Sequence, residues 1–439
     1  MTSYGAADTG EIENDLSFQA HYEGGERDHP SPAKRGRVWA GVSVVLLILA
    51  GVLMYSTPSF PQSSSKTSEI SLKATTRQTA EVEKKHEAFR AKAKAHRLEG
   101  LGSDGKTVRK AQTDRYSFSA LDVVKLKANG NAKELMKLFN EFAQKENREY
   151  KDLADDHETK QSRFATFVEN LENTAKKQKA LDSNTEKKNQ ATYGVNKFAD
   201  MTAAEKRSLL SFNKEALEQN KEKLATMGAK FENKQVAKYT GTDLSVDWTG
   251  SLATTYIIDQ GLCGCCWAVS ATEQMESDSI AQGISTIDDW FSTEYTTACD
   301  SSNWGCGGGN TETAWYWMYM SGGMMLASDY GDGDVLQSRG AFARACVVDE
   351  DAEMVSKPVA YGTLSSEEQM KEYVLSTGPL SICYAAEDVL DYTGGIMTSC
   401  SGDIDHCSQI VGFNGEAETP YWIVRNSWGS WWGESGYFY

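Results

Sequence analysis

Apolar positions along the chain recur first at helical and later at strand spacing. In Leu135–Asn147, residues Leu135, Leu138, Phe139 and Phe142 fall on one face at helical spacing. Arg163–Lys179 continues with Phe164, Phe167 and Leu171 on an apolar stripe and charges between them. From Val246 the texture changes: Trp, Gly and Cys become frequent and Lys almost disappears. Trp267–Gln282 reads as a helix with Ala268, Ala271 and Met275 facing inward, stopped by Gly283. Leu380–Tyr384, Ser408–Phe413 and Tyr421–Arg425 read as strands. A helix followed by strands indicates an α+β domain. No internal repeat is present.

One stretch has neither period. Val38–Tyr55 runs 18 residues without a charge, near the lower limit for crossing a bilayer. Lys34, Arg35 and Arg37 precede it, and the next Lys is Lys66. The positive-inside bias therefore predicts an uncleaved signal anchor over 38–55, with residues 1–37 as a cytosolic tail and the rest lumenal. A cleaved signal peptide is the competing reading, weakened by the long polar lead. Residues 56–115 are polar and poor in large apolar groups, which predicts a linker with transient helix.

Charge divides the chain in the same way. Residues 1–242 hold 40 Lys+Arg and 33 Asp+Glu, whereas residues 243–439 hold 5 and 29. The halves thus carry +7 and −24 of the net −17, which suits them to be each other's partner. An acidic second half excludes nucleic acid as a partner, because phosphate contacts need clustered Lys and Arg. All nine cysteines lie between Cys263 and Cys407, as expected of a half exposed to an oxidising compartment. The odd count leaves at least one thiol unpaired.

The segment Gln260-Gly261-Leu262-Cys263-Gly264-Cys265-Cys266-Trp267-Ala268 concentrates the chemistry. A thiol is a useful nucleophile only as thiolate, and its pKa falls at a helix N-terminus or beside an imidazolium. Cys266 opens the expected helix. Downstream, Asp405-His406-Cys407 leads into an apolar strand, followed by Asn426-Ser427-Trp428-Gly429. A Cys–His pair whose imidazole is oriented by a third group is a general nucleophilic arrangement. A metal site at Cys263, Cys265 and Cys266 is a poor alternative, since three ligands would crowd one turn with no second cluster. No cofactor is expected.

These segments, with Gly305-Cys306-Gly307-Gly308-Gly309 between them, resemble the papain/cathepsin family over Leu135 to the C-terminus. The resemblance implies a two-lobe α+β fold and peptide-bond hydrolysis, with Cys266 as nucleophile and His406 as its partner. It gives Asn426 the role of orienting His406, and Gln260 that of sharing an oxyanion hole with the Cys266 amide. Trp428 would shield the His406–Asn426 bond, and Gly308 and Gly309 would pair with substrate backbone. Asp405 would lie beside the bound peptide, and Thr311, Cys383, Ile404 and Cys407 would line the S2 subsite, expected to prefer Leu or Val over Phe. Disulfides Cys263–Cys306 and Cys299–Cys346 follow by resemblance, with Cys400 free. Cys383 and Cys407 are either apolar wall residues or a bridge.

A second resemblance lies upstream. Gly194-Val195-Asn196-Lys197-Phe198-Ala199-Asp200 fits the G-x-N-x-F-x-D motif of cathepsin propeptides. Arg163, Phe167 and Asn170 keep part of the family's ERFNIN helix, while Thr159, Thr174 and Gln178 depart from it. The implied arrangement is an inhibitory helical propeptide over 116–242 and a peptidase domain over 243–439, with cleavage between Gln235 and Asp243. Pairing in the Arg163 and Asp200 region is part of that implication. Cys265 and Gly307 also depart from the family, and the chain stops at Tyr439 where family members add further strands. The expected product is an endopeptidase zymogen, its mature form a monomer acting on peptides and proteins in an acidic lysosome- or vacuole-like compartment. A catalytically silent binding homologue is the alternative.

Overall fold

The structure is a computed structural model. It describes the strand backbone of 18–22 and residues 115–183, 191–228, 244–249, 253–330, 345–348, 352–364 and 366–439. The apolar run 38–55 lies outside the described residues. Among those described, no helix is long and apolar enough to cross a membrane.

The first body is helical. Ser119 and Asp122 form a capping box that starts α1 (Ala120–Ala128). Asn131 caps α2 (Ala132–Lys145), and α3 (Glu158–Asp182) crosses behind both. The stripes read from the sequence meet here: Phe139, Phe142, Phe167 and Leu171 are buried together with Val123. Phe139 and Phe142 set their rings at a tilt to Phe167, with centroids 5.3 and 5.1 Å from it. Each such side chain contributes about 1.5–3 kcal/mol by leaving water.

Polar pairs then fix the chain that follows. Thr202 and Glu205 form the capping box of α4 (Ala203–Leu209), which turns the Glu205 carboxylate toward α3. Arg163 grips both its oxygens at 2.6 Å. The Arg163 and Asp200 region is thus paired: Arg163 also reaches the backbone oxygen of Asp200, at 3.2 Å, and the Asp200 carboxylate pairs with Arg148 at 2.6 Å. A helix α5 (Lys214–Gly228) follows.

The second body has two lobes. In the first, α6 (Cys266–Ala281) is almost wholly buried beneath α7 (Thr293–Cys299) and α8 (Thr311–Ser321). Trp267, Met275, Trp315 and Met318 fill the core between them. The second lobe is an antiparallel sheet around β7 (His406–Asn414), which pairs with β3 (Ser245–Asp247), β5 (Leu380–Tyr384) and β8 (Tyr421–Arg425). β9 (Tyr437–Phe438) continues it beyond β8. At the other side, β1 (Phe18–Tyr22) lies between β5 and β4 (Pro358–Thr363).

The lobes meet along α6 and β7 through buried polar groups. Ser270 donates to the Ser408 carbonyl at 2.7 Å, and the Gln274 side chain accepts from the Ser381 amide at 2.7 Å. Arg425 pairs with Glu273 at 3.1 Å, both fully buried.

Phe139→Ala should leave an aromatic-sized cavity in the helical body and cost about 3–5 kcal/mol. Thermal unfolding of the Cys266→Ala zymogen should then show the helical body melting first. An unchanged melting profile would count against this core.

Candidate active site

Cys266 is the first residue of α6. The N-cap residue, Cys265, makes no side-chain cap bond, so the amide end of the helix, which favours negative charge, is left uncapped beside Cys266. A disulfide from Cys263 to Cys306 (S–S 1.93 Å) ties the preceding turn to the glycine loop 305–309. A second joins Cys299 to Cys346. Cys265 is buried and free, its pKa pushed up by that burial and by Cys266. Cys400 is free and exposed.

His406 opens β7 and is also fully buried. Its Nε2 lies 2.9 Å from Asn426 Oδ1, which also accepts from the Ser408 hydroxyl at 3.2 Å and the Ser427 amide at 2.8 Å. The remaining ring nitrogen, Nδ1, is buried and makes no hydrogen bond of normal geometry, while the Cys266 sulfur lies near enough to couple electrostatically to the ring. Trp428 covers the ring, with centroids 4.8 Å apart. Burial alone would raise the Cys266 pKa, but the charge of His406, with hydrogen bonds from His406, Ser211 and the Cys407 amide, brings it below its ordinary value. Burial likewise opposes the His406 charge, and the Cys266 and Asn426 interactions overcome it and raise that pKa. Both directions favour a thiolate–imidazolium pair.

Gln260 is placed by Ser427, whose hydroxyl donates to Gln260 Oε1 at 2.5 Å. Its amide nitrogen donates to the carbonyl of Cys263 at 2.9 Å and of Leu209 at 3.2 Å. Leu209 belongs to α4, so the first body supplies a carbonyl to the amide group assigned to the oxyanion.

The chain after α4 crosses the cleft. Gly309 donates to the Ser211 carbonyl at 3.1 Å, and its own carbonyl accepts from Asn213 at 2.8 Å. On the other wall, the Phe212 amide donates to the Asp405 carbonyl at 2.9 Å. Ser211 Oγ stands 3.3 Å from Cys266 Sγ. Gly308 adopts φ +111°, and a Cβ there would come within 2.5 Å of the Ser211 carbonyl, so this crossing needs glycine. The G-x-N-x-F-x-D segment anchors the strap upstream. Asn196 donates to the Leu390 carbonyl at 2.6 Å, Lys197 pairs with Asp259 at 2.5 Å, and Phe198 sits edge-on against Trp428.

Ile404 packs on Cys383, Cys407 and Cys266, and Cys383 is bonded to Cys407. Thr311 is buried at the start of α8, two residues beyond Gly309. Asp405 is half-buried and holds the Ala386 amide at 2.7 Å. Sequence reasoning missed Ser408 and Ser427, which hold Asn426 and Gln260. Only strand alternation, placing 406 and 408 on one face, hinted at the first. It also missed Ser211 and Phe212, which carry no motif. Among the described residues, no cluster of three or more His, Cys, Asp or Glu could hold a metal ion.

Comparisons with known proteins agree over both bodies. A model described as papain family cysteine protease matches residues 242–439, and one described as cathepsin propeptide inhibitor domain matches 139–205. A cysteine proteinase of Trypanosoma brucei brucei is 33% identical over 309 residues, 68% of this chain and 62% of the relative. A viral cathepsin of Heliothis zea nuclear polyhedrosis virus is 30% identical over 311 residues, 68% of this chain and 78% of the relative. The chain spans less than two thirds of the trypanosomatid relatives, 62% and 64% of two of them. Among solved structures, digestive procathepsin L2 proteinase from Tenebrio molitor larval midgut aligns with a TM-score of 0.54 at 25% identity, covering 69% of this chain and 93% of that one.

The Asn426 bond is one of the interactions that raise the His406 pKa, so its loss should weaken the ion pair. In the processed protein, alkylation of Cys266 by iodoacetamide should begin at a pH below that of an ordinary thiol. Asn426→Ala should move that onset upward. An onset indifferent to the substitution would remove Asn426 from the electrostatics of the pair.

Proposed function

Because this chain belongs to the papain family of cysteine proteases, we propose that it is the zymogen of an endopeptidase that cleaves through a Cys266 thiolate and a His406 imidazolium. The observation that carries the reading is the buried pair itself, with both pKa shifts favouring charge separation and Asn426 fixing the ring. In the proposed reaction the Cys266 sulfur attacks the substrate carbonyl carbon. The developing oxyanion takes hydrogen bonds from the Gln260 amide and the Cys266 backbone N–H. His406 passes its proton to the leaving amine, and the acyl-enzyme is then hydrolysed by water that His406 deprotonates.

Cys266→Ala should abolish turnover with the fold kept. Gln260→Ala should cost about 3–4 kcal/mol of transition-state stabilisation, a loss of about 10²–10³ in kcat. Peptide hydrolysis and labelling by an epoxide that needs an active thiolate provide the measurements. An unlabelled, inactive processed protein would point to a silent homologue.

We propose further that the first body is the inhibitory propeptide, released in an acidic lumenal compartment. Lys177, Lys197 and Lys206 pair with Asp388, Asp259 and Asp391 across the interface, which supports docking driven partly by charge. Linkage supports the acid direction. In the propeptide, the Glu205 pKa is brought down to about 2, chiefly by Arg163. Burial opposes the same fall at Glu141, where Lys145 and Ser117 bring it to about 2. Their stabilisation is complete above the ordinary glutamate pKa and is lost as pH falls toward 2. In the peptidase body, burial pushes Glu273 up to about 8 and Asp300 up to about 6, so acid relieves their cost. The bodies therefore respond oppositely.

In the Cys266→Ala zymogen, lowering pH from 8 to about 4.5 should raise the melting temperature of the peptidase body, given ordinary carboxylate values. Below that, the propeptide transition should fall. Propeptide binding in trans should also weaken as salt rises at pH 7. Parallel pH responses of both transitions would remove the acid-release proposal.

A further inference from the structure

One helix belongs to neither matched segment: α5 (Lys214–Gly228) lies after residue 205, where the propeptide match ends, and before residue 242, where the protease match begins. It starts where the strap leaves Gly309. The Asn213 amide donates to the Gly309 carbonyl at 2.8 Å, while its side-chain Oδ1 accepts from the amides of Glu215 at 2.9 Å and Ala216 at 3.2 Å. One residue thus ends the strap and caps the helix. Ala216, Asn220 and Leu224 recur every fourth position and are 1%, 5% and 7% exposed, so α5 buries one narrow face. Glu215, Glu218, Gln219 and Glu222 stay exposed. The helix packs on α8 of the peptidase body, and the Asn220 amide donates to the Ser302 carbonyl at 3.2 Å. Ser302 is placed by the peptidase body's own contacts. Its amide donates to the Asp300 carboxylate at 2.8 Å, Asn303 donates to the same group at 2.6 Å, and the preceding Cys299 is bonded to Cys346.

We infer that α8 and the Ser302 carbonyl form an anchoring surface outside the cleft, that its partner is the amphipathic helix α5 of this chain, and that α5 makes the propeptide an inhibitor held at both ends. The inference rests on the inhibitory-propeptide reading above. Upstream, Asn196, Lys197 and Phe198 hold the strap to the second lobe. Downstream, α5 holds it to the first. A segment anchored at one end peels from the cleft residue by residue. A segment anchored at both ends opens only when one anchor lets go, because each keeps the other at high effective concentration. Asn213 couples strap and helix, since drawing it away from Gly309 also withdraws the cap of α5. Cleavage between Gln235 and Asp243, where the sequence analysis expects it, leaves α5 on the propeptide side. The chain break therefore does not open the cleft, and activation needs a second event, the undocking of α5.

The test places the recognition sequence of an unrelated protease between residues 229 and 240 of the full chain and cuts there at pH 7. In the Cys266→Ala form the cut propeptide should stay bound through gel filtration. Glu222→Pro breaks α5 in its interior without touching the strap or the buried face. It should speed dissociation about a hundredfold, the lower end of what linking two contacts supplies. Asn220→Ala with Leu224→Ala keeps the helix and removes its grip, and should speed dissociation about tenfold, the scale of one lost hydrogen bond. Hydrogen exchange of the uncut Cys266→Ala zymogen should show α5 amides protected, and protection lost in Glu222→Pro while the Phe139–Phe167 core keeps its own. With Cys266 present, epoxide labelling of the cut protein should quicken in the same order. Equal dissociation rates in all three proteins, separation of the unsubstituted pieces on cutting, or freely exchanging α5 amides would overturn the inference. A Cys266 that stays unlabelled after acid has stripped the propeptide would defeat the peptidase reading, while the dissociation rates would still decide the anchor.

Discussion

Cys266 and His406, the proposed nucleophile and base, stand on different lobes, so their pairing exists only while α6 and β7 keep one alignment. Cys266 begins the helix and His406 begins the strand, and the surfaces between them are polar yet buried. Ser270, Gln274 and Ser277 on the helix meet Ser408, the Ser381 amide and Gln409 on the sheet. Such contacts carry direction as well as energy: sliding by one residue would leave buried donors unpaired, at about 1–3 kcal/mol each. The Arg425–Glu273 pair is part of this seam, and breaking a buried pair by removing one partner costs about 3–5 kcal/mol. Arg425 precedes Asn426, so the same seam holds the group that orients the histidine.

Strand register completes the alignment. Gln409 lies opposite Arg425 in the β7–β8 ladder, which brings the residue after β8, Asn426, beside Ser408 and His406. Cys383 opposite Cys407 and Tyr384 opposite His406 follow from the β5–β7 register. One strand, β7, through its ladders with β5 and β8, thus sets His406, its orienting amide and the disulfide in the cleft together.

The strap occupies the groups that the proposed mechanism assigns to a substrate. It takes the Gln260 amide through Leu209, both sides of Gly309, and the Asp405 carbonyl, and sets the Ser211 hydroxyl beside the sulfur. None of these contacts needs a particular side chain except the hydroxyl, and those at Gly309 and Asp405 need a backbone that passes between the two walls. Specific anchoring comes from farther away, where Asn196, Lys197 and Phe198 grip the second lobe.

The sequence by itself determined the helical faces, the strand segments and the motif residues, because periodicity and local spacing are properties of neighbouring positions. Phe139, Phe142 and Phe167 share a core for that reason, and Cys266 begins a helix for that reason. The resemblance supplied roles for Cys266, His406, Asn426 and Gln260, which lie up to 166 positions apart. Only tertiary structure decided which carboxylate Arg163 grips, because Glu205 is aimed by its own capping box and Asp200 is claimed by Arg148. It alone set Ser211 and Phe212 over the nucleophile, where their identity is read through backbone pairing and leaves no pattern. It alone bonded Cys383 to Cys407, since a strand's register fixes which thiols face each other and single-sequence spacing cannot encode register across distant strands.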